Sequence, residues 1–305
     1  MKPYFYRNIL FETITMKKYI FLSFLFGLMV IFAIAQEKIN VVVIGAHPDD
    51  CDIDAGGTAI QFSESGHNVL FVSVTNGDAG HHKKGGGALA KIRTAEAQEA
   101  GKRFGVKYIV LDNHDGELMP TLEIRLNLIR LIREWNADIV IGPRPNDYHP
   151  DHRNTAILIH DAAYMVIVPN IAPDTPPLKR NPVFLYTEDR FQKPTPFQAD
   201  IAVDISEVLD QKIYAMSAHK SQFFEWLPWT SGRLDEVPET EEARIDWLKN
   251  WRKPRLNDKI KQSLAKWYGE EKTKSIEYAE AFEICEYGRR PSEEEIRKLF
   301  PMINQ

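Results

Sequence analysis

Two short segments of the sequence combine histidine with aspartate, the residue types that bind metal ions and transfer protons. One reads AHPDD and contains His47 and Asp50, and the other reads HPDH and contains His149 and His152. His47 and Asp50 are three residues apart in one turn, so both can reach a common point that either later histidine could approach. Two histidines and one carboxylate, with a fourth position open to water, make up a catalytic zinc site. The spare aspartate could then accept a proton from the water, and the spare histidine could stabilise an oxyanion.

The elements that must position these segments follow a regular alternation. Continuous apolar runs, typical of buried parallel strands, occur at residues 39–45, 68–75, 107–112 and 137–142. Helix-like stretches lie between them at residues 54–65, 88–104 and 121–135. Strands that alternate with helices form βαβ units. The sequence therefore predicts an α/β, Rossmann-like layered fold, with a mainly parallel sheet flanked by helices.

The expected topology explains why two distant segments belong together. AHPDD follows the first strand and HPDH follows the fourth. In the strand order 3-2-1-4 these two strands are neighbours where the order reverses, and ligands bind there, beyond the carboxyl ends of the strands. We therefore expect both segments to line one site.

Spacing and charge argue against two other kinds of site. A dinucleotide site requires G-x-G-x-x-G in the first βα turn. Here the position two after Gly45 is His47 and not glycine, and the next glycines, Gly56 and Gly57, lie too far along the chain for that motif. The formal net charge of −5, without a stripe of lysine or arginine, predicts no nucleic-acid partner.

The paired motifs resemble those of the PIG-L/LmbE-like family of zinc-dependent de-N-acetylases. Further segments match that family in order: TNGDAG (75–80), IRTAE (92–96), HDGEL (114–118) and AHKSQ (218–222). The resemblance covers roughly residues 38–222. It implies a hydrolase that removes acetyl from an N-acetylglucosamine-type group, with an N-acetylated sugar or glycoconjugate as substrate.

The resemblance also implies a role for each residue of the two motifs. His47, Asp50 and His152 match the zinc ligands, although Fe²⁺ or Co²⁺ can occupy similar N/O sites. Asp49 matches the general base that activates the water. His149 matches the residue that stabilises the tetrahedral intermediate and helps to protonate the leaving amine. Because such a base must be ionised, we expect activity to fall at low pH as Asp49 is protonated.

Other positions are expected to surround this centre. Arg93 and Asp115 match residues that hold sugar hydroxyls in the family. The family usually has glutamate directly after the two acids, where this chain has Cys51. We interpret that thiol as a small buried filler and not as a metal ligand, and its presence changes the groups available to orient the ligands. His81 and His82, in a glycine-rich stretch, are expected to form a mobile, solvated rim.

Two alternative functions remain compatible with the motifs. One is a zinc amidase that acts on a non-sugar amide, and the other is a non-catalytic glycan-binding protein that retains the metal pocket. Asp49 argues against the second, because metal binding alone requires no free base. A single aspartate here could merely cap the following helix, but capping does not explain the histidines.

The first 35 residues have the parts of a secretory signal peptide. Lys17 and Lys18 precede an apolar run that ends in A-I-A, and Met16 is an alternative start of translation. We expect cleavage after Ala35 and export to the periplasm or the exterior, which leaves no stable membrane span. An uncleaved membrane anchor is the alternative.

The mature chain is expected to have two parts that fold as one unit. Residues 36–222 would form the deacetylase domain, and residues 223–305 a helical extension packed on it. Tryptophans at helical spacing in the extension indicate packing. Trp226 and Trp229, in FFEWLPW, are the best candidates for stacking on a sugar instead.

Overall fold

The computed structural model describes residues 38–304. The expected signal peptide, residues 1–35, lies outside the described residues. Within residues 38–304 no helix is both long enough and apolar enough to cross a membrane.

A single sheet organises the described part of the chain. Its strands are β1 (Asn40–Gly45), β2 (Asn68–Thr75), β3 (Lys107–Asn113), β4 (Ile139–Gly142), β5 (Val183–Thr187), β6 (Ile201–Asp204) and β7 (Ala279–Ile284). They lie in the order β3-β2-β1-β4-β5-β7-β6. Strands β1 to β5 pair in parallel, whereas β7 is antiparallel to both β5 and β6. The Rossmann-like layered fold and the strand order 3-2-1-4 are thus confirmed.

Helices cover both faces of this sheet. They are α1 (Asp50–Glu64), α2 (Gly86–Phe104), α3 (Leu122–Glu134), α4 (Pro150–Met165), α5 (Leu209–Met216), α6 (Leu227–Thr230), α7 (Glu241–Arg252), α8 (Asp258–Tyr268), α9 (Glu270–Thr273) and α10 (Glu293–Leu299). A π-helical turn, Gln222–Trp226, precedes α6.

Strand β1 shows why the sheet is buried on both faces. Its valines and isoleucine favour the pleated conformation, and successive side chains point to opposite sides. Val41 and Val43 pack into one apolar core, and Val42 and Ile44 into another. A continuous apolar run is therefore the expected signature of this strand.

The extension contributes a strand as well as helices. The sequence predicts only helices after residue 222, but β7 lies inside the sheet, between β5 and β6. Its sequence, AEAFEI, contains two glutamates, which are poor strand formers. Glu280 is nevertheless buried, because it accepts hydrogen bonds from Gly57 N and Thr58 N at 2.8 Å each and pairs with Lys212 Nζ at 2.7 Å.

Two glycines let helices pack closely against the ends of the strands that precede the motifs. A Cβ on Gly45, at the end of β1, would lie 2.6 Å from Cβ of Asp50, closer than real Cβ atoms approach. A larger residue there would push the start of α1, and with it the first motif, away from the strand. A Cβ on Gly142, at the end of β4, would clash with Cδ1 of Ile159 in α4, so this side chain would have to move.

Candidate active site

A cleft of about 500 Å³ lies where the AHPDD and HPDH segments meet. It is lined by all seven residues singled out in the sequence: His47, Asp49, Asp50, Arg93, Asp115, His149 and His152. The fold thus brings together residues that are up to about a hundred positions apart in the chain.

Three of these side chains converge on one point. His47 Nδ1 lies 3.2 Å from His152 Nε2, and Asp50 Oδ2 lies 3.4 Å from each of these nitrogens. Ligand atoms around a tetrahedral zinc ion with bonds of about 2.0–2.1 Å are about 3.3 Å apart. The triangle therefore has the size and the N₂O composition of a metal site, and its residues fit the expected ion.

The charges around this triangle favour a cation. Burial lowers the pKa of His47, but Asp115, Asp151 and Asp50 outweigh it and raise that pKa well above its ordinary value. Burial likewise opposes ionisation of Asp50, yet His152 and His47 hold its pKa below the usual value. An ionised Asp50 and several carboxylates beside His47 therefore favour a cation at this point, where a metal ion would compete with protons for the histidine nitrogen.

Carboxylates lie behind both histidine rings of the triangle. Asp147 Oδ1 lies 3.2 Å from His152 Nδ1, so Nε2 faces the triangle. Asp115 Oδ1 and Asp151 Oδ2 lie 3.1 and 3.4 Å from His47 Nε2, although neither contact has the angle of a hydrogen bond. Such partners position metal-binding histidines. Asp147 and Asp151 were not singled out in the sequence, although both flank the histidines of HPDH.

His149 lies beside the triangle but is turned by a different contact. It caps α4, and its Nδ1 accepts a hydrogen bond from Asp151 N at 3.2 Å. Burial, together with His47 and His152, lowers the pKa of His149. The ring is therefore neutral with its proton on Nε2, which makes that atom a hydrogen-bond donor. A nitrogen of His149 lies within 4.8 Å of ring nitrogens of the other two histidines.

Asp49 is the carboxylate left over beside the metal triangle. It precedes α1 but makes no capping hydrogen bond with its side chain. Instead Oδ1 accepts a hydrogen bond from Arg93 Nη2 at 3.0 Å. Burial raises the pKa of Asp49, and the Arg93 charge opposes that rise. Asp49 is therefore a buried, oriented carboxylate with an elevated pKa, as a general base requires.

Arg93 contacts Asp49 directly, and Asp115 lies beside His47. Arg93 is only 1% exposed, and its guanidinium bonds Asp49 and Pro48 O, the latter at 3.2 Å. Asp115 is held by its backbone N–H, which donates to Asp78 Oδ1 at 3.0 Å. Both residues line the cleft, where a sugar could reach them. Their contact with sugar hydroxyls stays a prediction.

Cys51 lies in the core and not at the metal triangle. The residue is 1% exposed, and its Sγ lies 3.4 and 3.6 Å from Val43 O and Val72 O, either of which can accept its one S–H. This position agrees with a small buried filler. The next residue, Asp52, is a buried carboxylate that contacts His219 Nε2 at 2.9 Å.

The expectation of a mobile, solvated rim is wrong for His81. This side chain is buried, with Nε2 2.7 Å from Glu225 Oε2. Its neighbour His82 stacks on Trp229 at 5.1 Å between ring centroids, and Trp229 stacks on Trp226 at 5.3 Å. The glycine-rich loop is therefore anchored to the FFEWLPW segment, a contact that the local sequence could not reveal.

Comparisons with known proteins agree with this geometry. Residues 42–163 match the family model PIG-L, described as GlcNAc-PI de-N-acetylase. Diacetylchitobiose deacetylase of Thermococcus kodakarensis is 36% identical over 204 residues, which span 62% of this chain and 73% of that protein. A probable N-acetyl-alpha-D-glucosaminyl L-malate deacetylase 2 of Bacillus cereus is 26% identical over 219 residues, 68% of this chain and 94% of that one.

A solved structure is similar over most of the chain. N,N'-diacetylchitobiose deacetylase from Pyrococcus horikoshii superimposes with a TM-score of 0.59 at 26% identity. The match covers 81% of this chain and 84% of that one.

Proposed function

Since this chain belongs to the PIG-L family of de-N-acetylases, we propose that it is a metal-dependent hydrolase that removes acetyl from an N-acetylglucosamine-type sugar. The observation that carries this proposal is the triangle of His47, Asp50 and His152 beside the buried carboxylate of Asp49. Two relatives whose names specify N-acetylated glucosamine compounds support the choice of substrate.

The three residues of the triangle would hold the ion, which is zinc in this proposal, with Fe²⁺ or Co²⁺ as alternatives. When bound, such an ion polarises a carbonyl and lowers the pKa of a water. Asp49 accepts the proton of the attacking water, and the Arg93 contact holds its carboxylate in place. The water oxygen adds to the acetamide carbon.

His149, beside the triangle, would stabilise the charge that develops in the reaction. Its Nε2–H donates a hydrogen bond to the carbonyl oxygen as negative charge develops there. When the C–N bond breaks, the amine nitrogen receives a proton and acetate is released. Asp49 and His149 are the two groups placed to supply that proton.

A substrate panel tests the reaction class. The purified chain that lacks residues 1–35 should release acetate from N-acetylglucosamine or its short oligomers in the presence of zinc. Release only from non-sugar acetamides would indicate an amidase. No release from any compound, with metal still bound, would indicate a glycan-binding protein and would contradict the proposal.

We also propose that the enzyme is exported after cleavage at Ala35. The proposal is supported by the order of three features in the sequence: two lysines, an apolar run and an A-x-A motif. Mass spectrometry of the protein isolated from its native host should find a mature chain that begins at Gln36. An intact N-terminus in the membrane fraction would indicate an anchor instead.

A further inference from the structure

Four arginines line the same cleft as the metal triangle: Arg93, Arg144, Arg190 and Arg252. Arg144 is neutralised, because Asp189 binds its guanidinium through two contacts of 2.6 Å. Arg93 is neutralised by Asp49. The other two arginines, Arg190 and Arg252, have no carboxylate partner of this kind among the described residues.

Arg252 has no such partner. It is the last residue of α7, and within residues 38–304 its guanidinium forms no hydrogen bond or ion pair. Its Nε is buried without a hydrogen bond. The guanidinium lies over the ring of Trp251 at 4.2 Å and near that of Phe223 at 5.8 Å. These ring contacts offset part of the cost of burial, but they leave the N–H donors unused.

Arg190 adds a second unpaired cation to the same cleft. It is exposed, and its side chain forms no hydrogen bond or ion pair in the described part of the chain. Burial lowers the pKa of Arg252, the charge of Asp49 opposes that shift, and the charge of Arg190 adds to it. The cleft thus holds two guanidinium groups that no carboxylate contacts, and such groups favour an anionic ligand.

Two acids that line the cleft, Glu188 and Asp54, form no ion pair with either arginine in the described part of the chain. Glu188 accepts a hydrogen bond from Asn257 Nδ2 at 3.1 Å, and burial raises its pKa although the charge of Arg190 opposes that rise. Burial and the charge of Asp50 raise the pKa of Asp54 to about 7. The donors of Arg252 and Arg190 therefore stay available to a ligand in the cleft.

We propose that Arg252 and Arg190 form a subsite for an anionic group, a phosphate or carboxylate, carried by the N-acetylated sugar. The planar donors of arginine match these groups with two parallel hydrogen bonds. The inference rests on the proposed deacetylase function and deepens it, since it names the charge of the substrate. An anion held there would help to orient the sugar so that its acetamide lies at the metal triangle.

Paired substrates test the subsite. We would measure kcat/KM for N-acetylglucosamine 1-phosphate, N-acetylglucosamine 6-phosphate and N-acetylmuramic acid, against N-acetylglucosamine and diacetylchitobiose. At least one anionic compound should exceed the neutral ones by about tenfold or more. Arg252→Gln should remove most of that ratio, and Arg190→Gln, at an exposed position, should lower it without a risk to folding. Arg255→Gln, three residues further along and exposed, is the matched control and should leave the ratio unchanged.

Product binding separates this inference from the proposed function. Calorimetry with glucosamine 1-phosphate, glucosamine 6-phosphate, muramic acid and glucosamine needs no turnover. An anionic preference in binding that Arg252→Gln abolishes, without any acetate release, would retain the subsite and refute the deacetylase. Equal rates and affinities for charged and neutral compounds, or a ratio that Arg252→Gln does not change, would overturn the subsite.

Discussion

At the residue scale, Asp147 is predicted to hold His152 in the orientation that a metal ion requires. Its carboxylate lies against His152 Nδ1 and also accepts a hydrogen bond from His149 N at 2.8 Å. Asn at this position keeps the shape and an acceptor for His149 N but removes the charge that orients His152. Asp147→Asn should therefore weaken metal binding by about 10- to 100-fold.

Competition with a chelator of known affinity measures this effect. Asp161→Asn, on the same helix α4 but paired with Arg125, is the control and should bind metal like the wild type. Unchanged affinity in Asp147→Asn would show that His152 needs no such partner.

A second residue-scale prediction concerns the pair of Arg93 and Asp49. Burial raises the pKa of Asp49, and Arg93 holds it down. Arg93→Gln removes the cation, so that pKa should rise further. Because the base acts only when ionised, the acid limb of the kcat/KM profile should move to higher pH, by about 1 to 3 units.

Arg93→Lys keeps a positive charge and should move the acid limb less than Arg93→Gln does. The midpoint of the acid limb in the kcat/KM profile of each variant measures this shift, and it does not depend on the absolute rates. A limb that stays in place in Arg93→Gln would show that Asp49 is not the group that titrates.

The types of the site residues could be predicted from the sequence, but not all of their contacts. The spacing of His47 and Asp50 and the recurrence of HPDH indicate a metal site. The tautomer of His149 depends on the N–H of Asp151, and the pairing of Arg93 with Asp49 depends on how α2 packs against the first motif. Such contacts arise only when distant elements meet, so no local pattern encodes them.

At the scale of elements, the buried pair of Lys212 and Glu280 joins α5 to β7. Both side chains are almost fully buried, and Glu280 also binds two backbone N–H groups of α1. Glu280→Ala leaves the lysine charge unpaired, so it should lower the free energy of unfolding by about 3–5 kcal/mol.

Urea denaturation tests this pair most clearly when a double variant is included. Lys212→Met in the Glu280→Ala background removes the stranded charge and should recover part of the lost stability. A double variant that is less stable than Glu280→Ala would contradict this account of the pair.

The same strand shows which elements the sequence reveals. Strands β1 to β4 are continuous apolar runs or nearly so, because helices cover both faces. Strand β7 is short and carries Glu280 and Glu283, and their burial depends on Lys212 and Arg144. A strand stabilised by distant charges has no continuous apolar run, so the sequence pattern does not predict β7.

At the scale of the whole molecule, the C-terminal part completes the sheet. Among the strands of residues 38–304, β6 joins the sheet only through β7, which pairs with it and with β5. We propose that residues 36–222 and 223–305 fold as one unit. A chain of residues 36–222 alone should therefore lack a cooperative unfolding transition, whereas residues 36–305 should unfold cooperatively.

Circular dichroism during thermal unfolding compares the two chains. A soluble chain of residues 36–222 that unfolds cooperatively and binds zinc would show that the extension is dispensable. The same arrangement places Arg252 of the extension in the cleft, so loss of the extension would also remove part of the proposed anion subsite.

The most direct test of the central claim is acetate release from N-acetylated glucosamine compounds by residues 36–305, with zinc and with chelator. Asp49→Asn serves as the paired variant, because it preserves the shape of the side chain beside the ligands. Release should require metal and should fall by about 10²- to 10⁴-fold in Asp49→Asn, while bound zinc stays at one ion per chain. Release that persists in chelator, or that Asp49→Asn does not reduce, would contradict a metal-dependent deacetylase with Asp49 as its base.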